Sequence, residues 1–307
     1  MTPPAARNGW FDRVWPVVAA STGVGYVALS YVVARWLTRS YPESIVAPAE
    51  LKSYMLSDLE CATTDGMRLK GWALSPSHPR ANVVLFHGMR RNRLDMVSRV
   101  LMFANAGYRC ILFDHRGHGE SDGDLTSFGY HERHDVAAVA TLVRQAWPAL
   151  PCAALGVSMG AAAVCFAAGD SHVFDAVVLE SLYHDLDRAF DHRVGGEFPE
   201  WFTTFRLGIT WFIEQRMGAP LHEVSPAVHI AKLAPTPILL VTGSEDAHAP
   251  PTDAHGIAKQ ASSAQVCIID GACHSNVLEY GGARYERAVL SFLDQHLFAS
   301  RPSYFAA

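Results

Sequence analysis

One pentapeptide constrains this chain more than any other: Gly156-Val157-Ser158-Met159-Gly160. An apolar run at 153–157 leads into the serine, and a run of small residues at 161–168 follows it. The first has the length and composition of a buried strand, the second those of a helix packed closely on its neighbours. A serine between the two sits on a sharp strand-to-helix turn, with its hydroxyl projecting from the sheet. The glycines two positions to either side relieve the crowding that such a turn creates. The turn needs a sheet around it, and the rest of the chain has the pattern to build one.

Short strand-like runs at 59–63, 69–74, 83–86, 110–113, 153–157, 176–179, 238–242 and 265–269 alternate with helical stretches. The helices are expected at 93–106, 132–146, 161–168, 254–261 and 283–297. Asp65-Gly66 between the first two strands is a hairpin signal, and Gly107 stands where glycine ends a helix. Strands alternating with helices imply an α/β fold with a mostly parallel sheet covered on both faces. The interval 181–234 breaks the alternation and is rich in Phe and Trp. Phe198, Phe202, Phe205, Ile209 and Phe212 recur there at helical spacing as one apolar stripe. It is either a helical insertion packed on the sheet or a lid whose inner face lines an apolar pocket.

Half of the 307 residues are apolar, and part of that content is concentrated near the start. Residues 14–34 carry no charge, between Arg13 and Arg35, and as a helix would span roughly 30 Å. Trp10, Phe11 and Trp15 at one end and Trp36 at the other resemble an aromatic belt. The expectation is a single-pass amino-terminal membrane anchor, with a cleaved secretory signal or a helix buried on the domain as alternatives. Arg7 and Arg13 before the run balance Arg35 and Arg39 after it, so the orientation is open. The chain then divides into a tail and anchor at 1–37, a linker at 38–55 and a catalytic domain at 56–300 with its lid at 181–234. A net charge of −5 argues against nucleic acid as a partner. The six cysteines are scattered without metal-ligand spacing, so no metal is expected.

A serine hydroxyl needs a general base, and the base an orienting acid. The elbow predicts that these follow in the order Ser, Asp or Glu, His. The run 238–242 ends in Gly243-Ser244-Glu245-Asp246 and the next in Asp270-Gly271-Ala272-Cys273-His274. Asp246 and His274 thus fall on neighbouring loops at the carboxyl edge of the sheet, where open α/β sheets gather catalytic groups. Glu245 competes for the acid position, and Asp253 stands further off. The backbone N–H groups of Met159 and of Met89, in the loop His87-Gly88-Met89 after the third strand, are the candidates for holding an oxyanion. His87 is expected to order that loop. Arg90, Arg91 and Arg93 beside it read as solvated charges, or as contacts for an anionic substrate group or lipid headgroup.

These stretches, together with Asp114-His115-Arg116-Gly117-His118-Gly119-Glu120-Ser121, resemble the α/β-hydrolase superfamily from about residue 59 to 297. Within it, the chain is similar to the branch of serine-aminopeptidase-like and monoacylglycerol-lipase-like sequences. Asn92-Arg93-Leu94-Asp95-Met96 resembles bacterial members of that branch that carry an amino-terminal membrane helix. The resemblance implies an α/β-hydrolase fold with Ser158 as nucleophile, His274 as base, Asp246 as its acid and Arg116 as a residue that shapes the site. Ala247-His248-Ala249 departs from an apolar-Val-Pro pattern common after the acid, although Ala249-Pro250-Pro251 keeps a proline turn.

The expected activity is therefore a serine hydrolase cleaving a carboxylic ester or thioester through an acyl-enzyme, without metal or organic cofactor. The aromatic insertion and the expected anchor favour a small-molecule or lipid-like substrate with an apolar acyl group. A serine peptidase or amidase is the first rival; the sequence offers no acidic pair evidently placed for a substrate amino terminus. A non-catalytic hydrolase fold used for binding is the second.

Overall fold

A computed structural model of the chain describes residues 9–171, 173–197 and 204–298, with side chains omitted at 9–21, 170–171 and 193–197. Helix α1 (Gly9–Leu37) leads through strand β1 (Tyr41–Pro42) to the hairpin β2 (Met55–Ala62) and β3 (Arg68–Ser75). Strand β4 (Ala81–Phe86), helix α2 (Val97–Asn105) and strand β5 (Tyr108–Phe113) follow, then β6 (His118–Gly119), α3 (Glu132–Ala146) and β7 (Cys152–Val157). Helix α4 (Met159–Ser171) and strand β8 (Ala176–Glu180) precede the helices α5 (Leu186–Glu197), α6 (Arg206–Met217) and α7 (Pro226–His229) of the insertion. Strand β9 (Ile238–Gly243), α8 (Pro251–Ala258), β10 (Ala264–Ile269) and α9 (Val277–Phe298) complete the order. Gly282 kinks α9, with φ 43° and ψ −128°.

Eight strands form one sheet in the order β10-β9-β8-β7-β4-β5-β3-β2. All neighbours are parallel from β10 to β5, while β3 runs antiparallel to β5 and β2 antiparallel to β3. Its central strands are buried on both faces, as parallel strands flanked by helices must be. Because strand side chains alternate, β4 and β5 feed two cores. Val84, Phe86, Ile111 and Phe113 join the side covered by α3, α4 and the insertion. Val83, Leu85, Cys110 and Leu112 join the side covered by α2 and α9. Each such side chain contributes about 1.5–3 kcal/mol by burial, so a one-residue slip in register would expose a row of them.

The membrane anchor expected at 14–34 is corrected: among the described residues, no helix is long and apolar enough to cross a membrane. The physical reason lies in what α1 packs against. Ser30, Ala34 and Leu37 are buried on the domain, with α6 alongside, while Val24, Val27 and Val32 stay on the outer face. Tyr26 stacks on Phe205 at 5.0 Å between ring centroids, and Tyr31 meets Phe212 edge-on at 5.4 Å. The Gly208 N–H donates to the Tyr26 hydroxyl at 3.1 Å, and a Cβ on Gly208 would come within 2.4 Å of Ser30 Oγ. Only glycine lets the two helices approach so closely. Arg216 Nε then donates to Thr38 Oγ1 at 2.8 Å, just past the end of α1. Trp10, Phe11 and Trp15 lie outside the described side chains. Of the aromatic stripe, Phe198 and Phe202 lie outside the described residues, and Phe205 and Phe212 face α1.

Candidate active site

The turn after β7 is as tight as its sequence requires. Ser158 holds φ 52°, a left-handed conformation that residues with a side chain rarely adopt. A Cβ on Gly156 would come within 2.4 Å of Gly160 O, and one on Gly160 within 2.4 Å of Phe86 O. Both obstacles are backbone atoms, so neither position tolerates a side chain without moving the turn. The Ser158 N–H donates to Glu180 O at 2.8 Å, which ties the turn to the end of β8. Met159 then opens α4.

Asp246 stands after β9 and His274 after β10, and the parallel pairing of those strands brings their loops together. His274 Nδ1 is 2.9 Å from both Asp246 Oδ1 and Oδ2, and its Nε2 is 3.0 Å from Ser158 Oγ. With a carboxylate on Nδ1, the ring carries its proton there and leaves Nε2 as the acceptor of the Ser158 hydroxyl. Asp246 is buried and also accepts from the His248 and Ala249 N–H groups at 2.9 and 2.8 Å. Burial alone would raise its carboxyl, but His274 and the Ala249 N–H outweigh that and hold it below its ordinary value. Of the two rivals for the acid position, Asp253 instead accepts from the His184 N–H at 3.4 Å, and Glu245 is exposed.

The loop after β4 runs past the same point. A Cβ on Gly88 would lie 3.7 Å from Ser158 Cβ, and Met89, Met159, Ser158 and His274 border one cavity. His87 is buried and fixes the loop: Nδ1 donates to Gly88 O at 2.8 Å, and Nε2 accepts the His115 N–H at 3.0 Å. Burial, reinforced by the neighbouring His115 and His118, pushes its pKa well below the ordinary value, so the ring stays neutral. Arg93 differs from the expectation of a solvated charge. It is buried in an ion pair with Asp114 and Glu120, with its guanidinium 4.3 Å from the Trp72 ring. Arg116 joins the hairpin to α3, donating to Asp135 at 2.8 Å and to Asp65 at 2.6 Å.

Ser158 and His274 form a wall shared by two cavities of opposite character. One, of about 900 Å³ out to its open mouth, is lined by Leu37, Phe128, Tyr183, Phe190, Ile213 and Leu221. The insertion therefore does line an apolar cavity, but through Phe190, Ile213 and Leu221 rather than the Phe205–Phe212 stripe. The other cavity is polar and is bordered by Arg91, Asp95, Arg99, Glu180, Ser275 and Glu279. Arg99 Nε donates to Glu180 at 3.0 Å, and the Tyr285 hydroxyl donates to Glu180 at 2.6 Å. Burial pushes Asp95 up from its ordinary value, against the pull of Arg91. Asp95 and Glu279 are an acidic pair that sequence reasoning missed, because 184 residues of chain separate them. Leu37 was missed for a different reason: between Arg35 and Arg39, nothing in the sequence marks a single leucine as a cavity wall. Among the described residues, no group of three or more His, Cys, Asp or Glu side chains is placed to hold a metal ion.

Residues 77–206 match the family described as serine aminopeptidase, S33. The uncharacterized protein YqkD of Bacillus subtilis is 26% identical over 237 residues, covering 75% of this chain and 76% of that protein. A monoglyceride lipase homolog of Monkeypox virus is 32% identical over 111 residues, covering 34% of this chain and 39% of that protein. Among solved structures, the Pyrococcus furiosus esterase Pf2001 superimposes with a TM-score of 0.71 at 20% identity, covering 84% of this chain and 98% of the esterase. At that identity the likeness speaks for the fold alone.

Proposed function

We propose that this chain, whose residues 77–206 match the serine aminopeptidase, S33 family, is a serine hydrolase of carboxylic esters or thioesters with an apolar acyl group. The observation that carries the reading is one line of contacts: Ser158 Oγ 3.0 Å from His274 Nε2, and His274 Nδ1 2.9 Å from Asp246, with Ser158 and His274 in the wall of the apolar cavity. In this reading His274 takes the hydroxyl proton as Ser158 attacks the carbonyl carbon. The Asp246 carboxylate stabilises the imidazolium that forms. The Met89 and Met159 N–H groups hold the tetrahedral oxyanion, each worth about 10²–10³ in rate. His274 then protonates the leaving alcohol or thiol, and water, deprotonated by the same ring, releases the acid from Ser158. The acyl chain occupies the apolar cavity.

The test is a panel of p-nitrophenyl esters from acetate to dodecanoate, together with fluorophosphonate labelling of wild type and Ser158→Ala. Rates that rise with chain length, and labelling confined to wild type, are expected. A folded wild type that neither labels nor turns over any ester would leave a non-catalytic, binding use of the fold. Asp95 and Glu279 in the polar cavity favour a second reading, a peptidase or amidase that holds a substrate amino group there. Aminoacyl p-nitroanilides cleaved faster than matched esters would put that reading first.

A further inference from the structure

The loop that carries the Met89 N–H is held in an unfavourable shape, and the parts that hold it come from the segment at the end of α1. The Arg91 N–H donates to Gly88 O at 3.3 Å, closing a turn in which Arg90 takes the third position with φ 63°. Glycine ordinarily fills such a place, because a Cβ there crowds the backbone. A residue with a side chain persists in it only where its surroundings over-determine it. The Arg90 guanidinium lies 4.1 Å from the centre of the Trp36 ring and 5.8 Å from that of Tyr41. The Tyr41 ring in turn stacks on His118 at 5.8 Å, and His118 Nε2 accepts the Arg90 N–H at 3.2 Å. His118 Nδ1 donates to Arg116 O at 2.9 Å, which fixes the tautomer that leaves Nε2 free to accept. Tyr41 is itself tied down by its N–H on Gly117 O at 2.6 Å, within the β1–β6 ladder.

We propose that Trp36 is a positioning residue for the reaction: by holding the Arg90 side chain it stabilises the left-handed turn, and so fixes the Met89 N–H where the oxyanion forms. The last turn of α1 is then a working part of the site. The proposal rests on Met89 as an oxyanion donor in the hydrolase reading above. It differs from a general packing role in one respect: the dependence on Trp36 exists only because residue 90 has a side chain. Glycine at 90 adopts the same turn without a shelf.

The experiment measures the rate of fluorophosphonate labelling at Ser158, since the phosphonyl oxygen draws on the same donors, with thermal unfolding of each full-length variant alongside. A donor displaced rather than removed should cost less than the 10²–10³ of a deleted one, so Trp36→Ala is expected to slow labelling about tenfold. Trp36→Phe, which keeps an aromatic shelf, should recover most of that rate. Placed on Arg90→Gly, the Trp36→Ala change should alter the rate by less than about twofold, as uncoupled sites do. Equal losses on Arg90 and Gly backgrounds, or a wild-type rate for Trp36→Ala, overturn the proposal. Should Trp36→Ala fail to fold, Arg90→Gly against Arg90→Ala decides alone: glycine is expected to label faster, and equal rates overturn the proposal. A folded wild type that does not label overturns the hydrolase reading itself, an outcome distinct from all of these.

Discussion

At the scale of single residues, the polar contacts around Asp246 decide which way the site works. Its carboxylate accepts from two backbone N–H groups and faces His274 Nδ1 with both oxygens at 2.9 Å. A carboxylate can only accept, and that requires the ring proton to sit on Nδ1. An amide in its place has one oxygen for three donors, and its NH₂ turned toward His274 would draw the proton to Nε2, where it faces Ser158. Asp246→Asn is therefore expected to lower kcat for a p-nitrophenyl ester by about 10³–10⁴ at pH 7, while the protein still folds. A loss of less than about tenfold would remove Asp246 from the role proposed for it. Ser158, Asp246 and His274 could be picked out as candidates from the sequence, because each stands at or within five residues of the end of a short strand-like run. The polar cavity was not: Arg99, Glu180 and Tyr285 come from three elements, and none stands in a motif.

At the scale of elements, the same physics explains what was legible and what was not. Strands β4, β7 and β9 are buried at every position, so each appears as a mainly apolar run, and helix α3 covers the 132–146 expected for it. Helix α1 defeats that logic. An uncharged run with aromatic ends suits a bilayer, and it also suits a helix whose partner is another apolar stripe. The partner, α6, lies some 180 residues downstream, at Tyr26 with Gly208, and composition alone does not reveal it. Docked there, α1 sets the size of the apolar cavity through Leu37, which is 6% exposed and lines it together with Ile213 and Leu221. Leu37→Ala should deepen the cavity. In kcat/KM across the ester series, the optimum is expected to move toward longer chains by about two carbons, each methylene being worth about 1–3 kcal/mol of discrimination. An unchanged optimum would mean that the acyl chain does not reach α1.

At the scale of the whole molecule, one sheet edge collects the residues of the candidate site from four strands: Met89 after β4, Ser158 after β7, Asp246 after β9 and His274 after β10. Strand order fixes the spacing between them, but the loops that finish the walls depend on buried carboxylates. Glu132, fully buried at the start of α3, is one. It accepts from the Ser127 N–H at 2.8 Å, the Ser127 hydroxyl at 2.5 Å and the Gly129 N–H at 2.8 Å. The loop it gathers presses on α4, where a Cβ on Gly129 would come within 2.8 Å of Ala162 Cβ, and it places Phe128 in the apolar cavity. Burial alone would raise the Glu132 carboxyl, but the Ser127 hydrogen bonds outweigh it and hold it below its ordinary value. The sign follows from linkage. Above the unfolded pKa of about 4.3 both states are ionised, and the charged hydrogen bonds stabilise the fold in full. As pH falls below that value the unfolded chain takes up the proton first, so the contribution shrinks, and it is gone once the folded carboxyl is protonated as well. Glu132→Gln should therefore be about 2 kcal/mol less stable than wild type at pH 7, in the range of hydrogen bonds to charged groups. In urea unfolding at pH 7, 5, 4 and 3, the gap is expected to hold from pH 7 to 5 and to narrow below. A gap that stays constant to pH 3 would show that the proton, and with it the charge, has no part in holding this wall of the site.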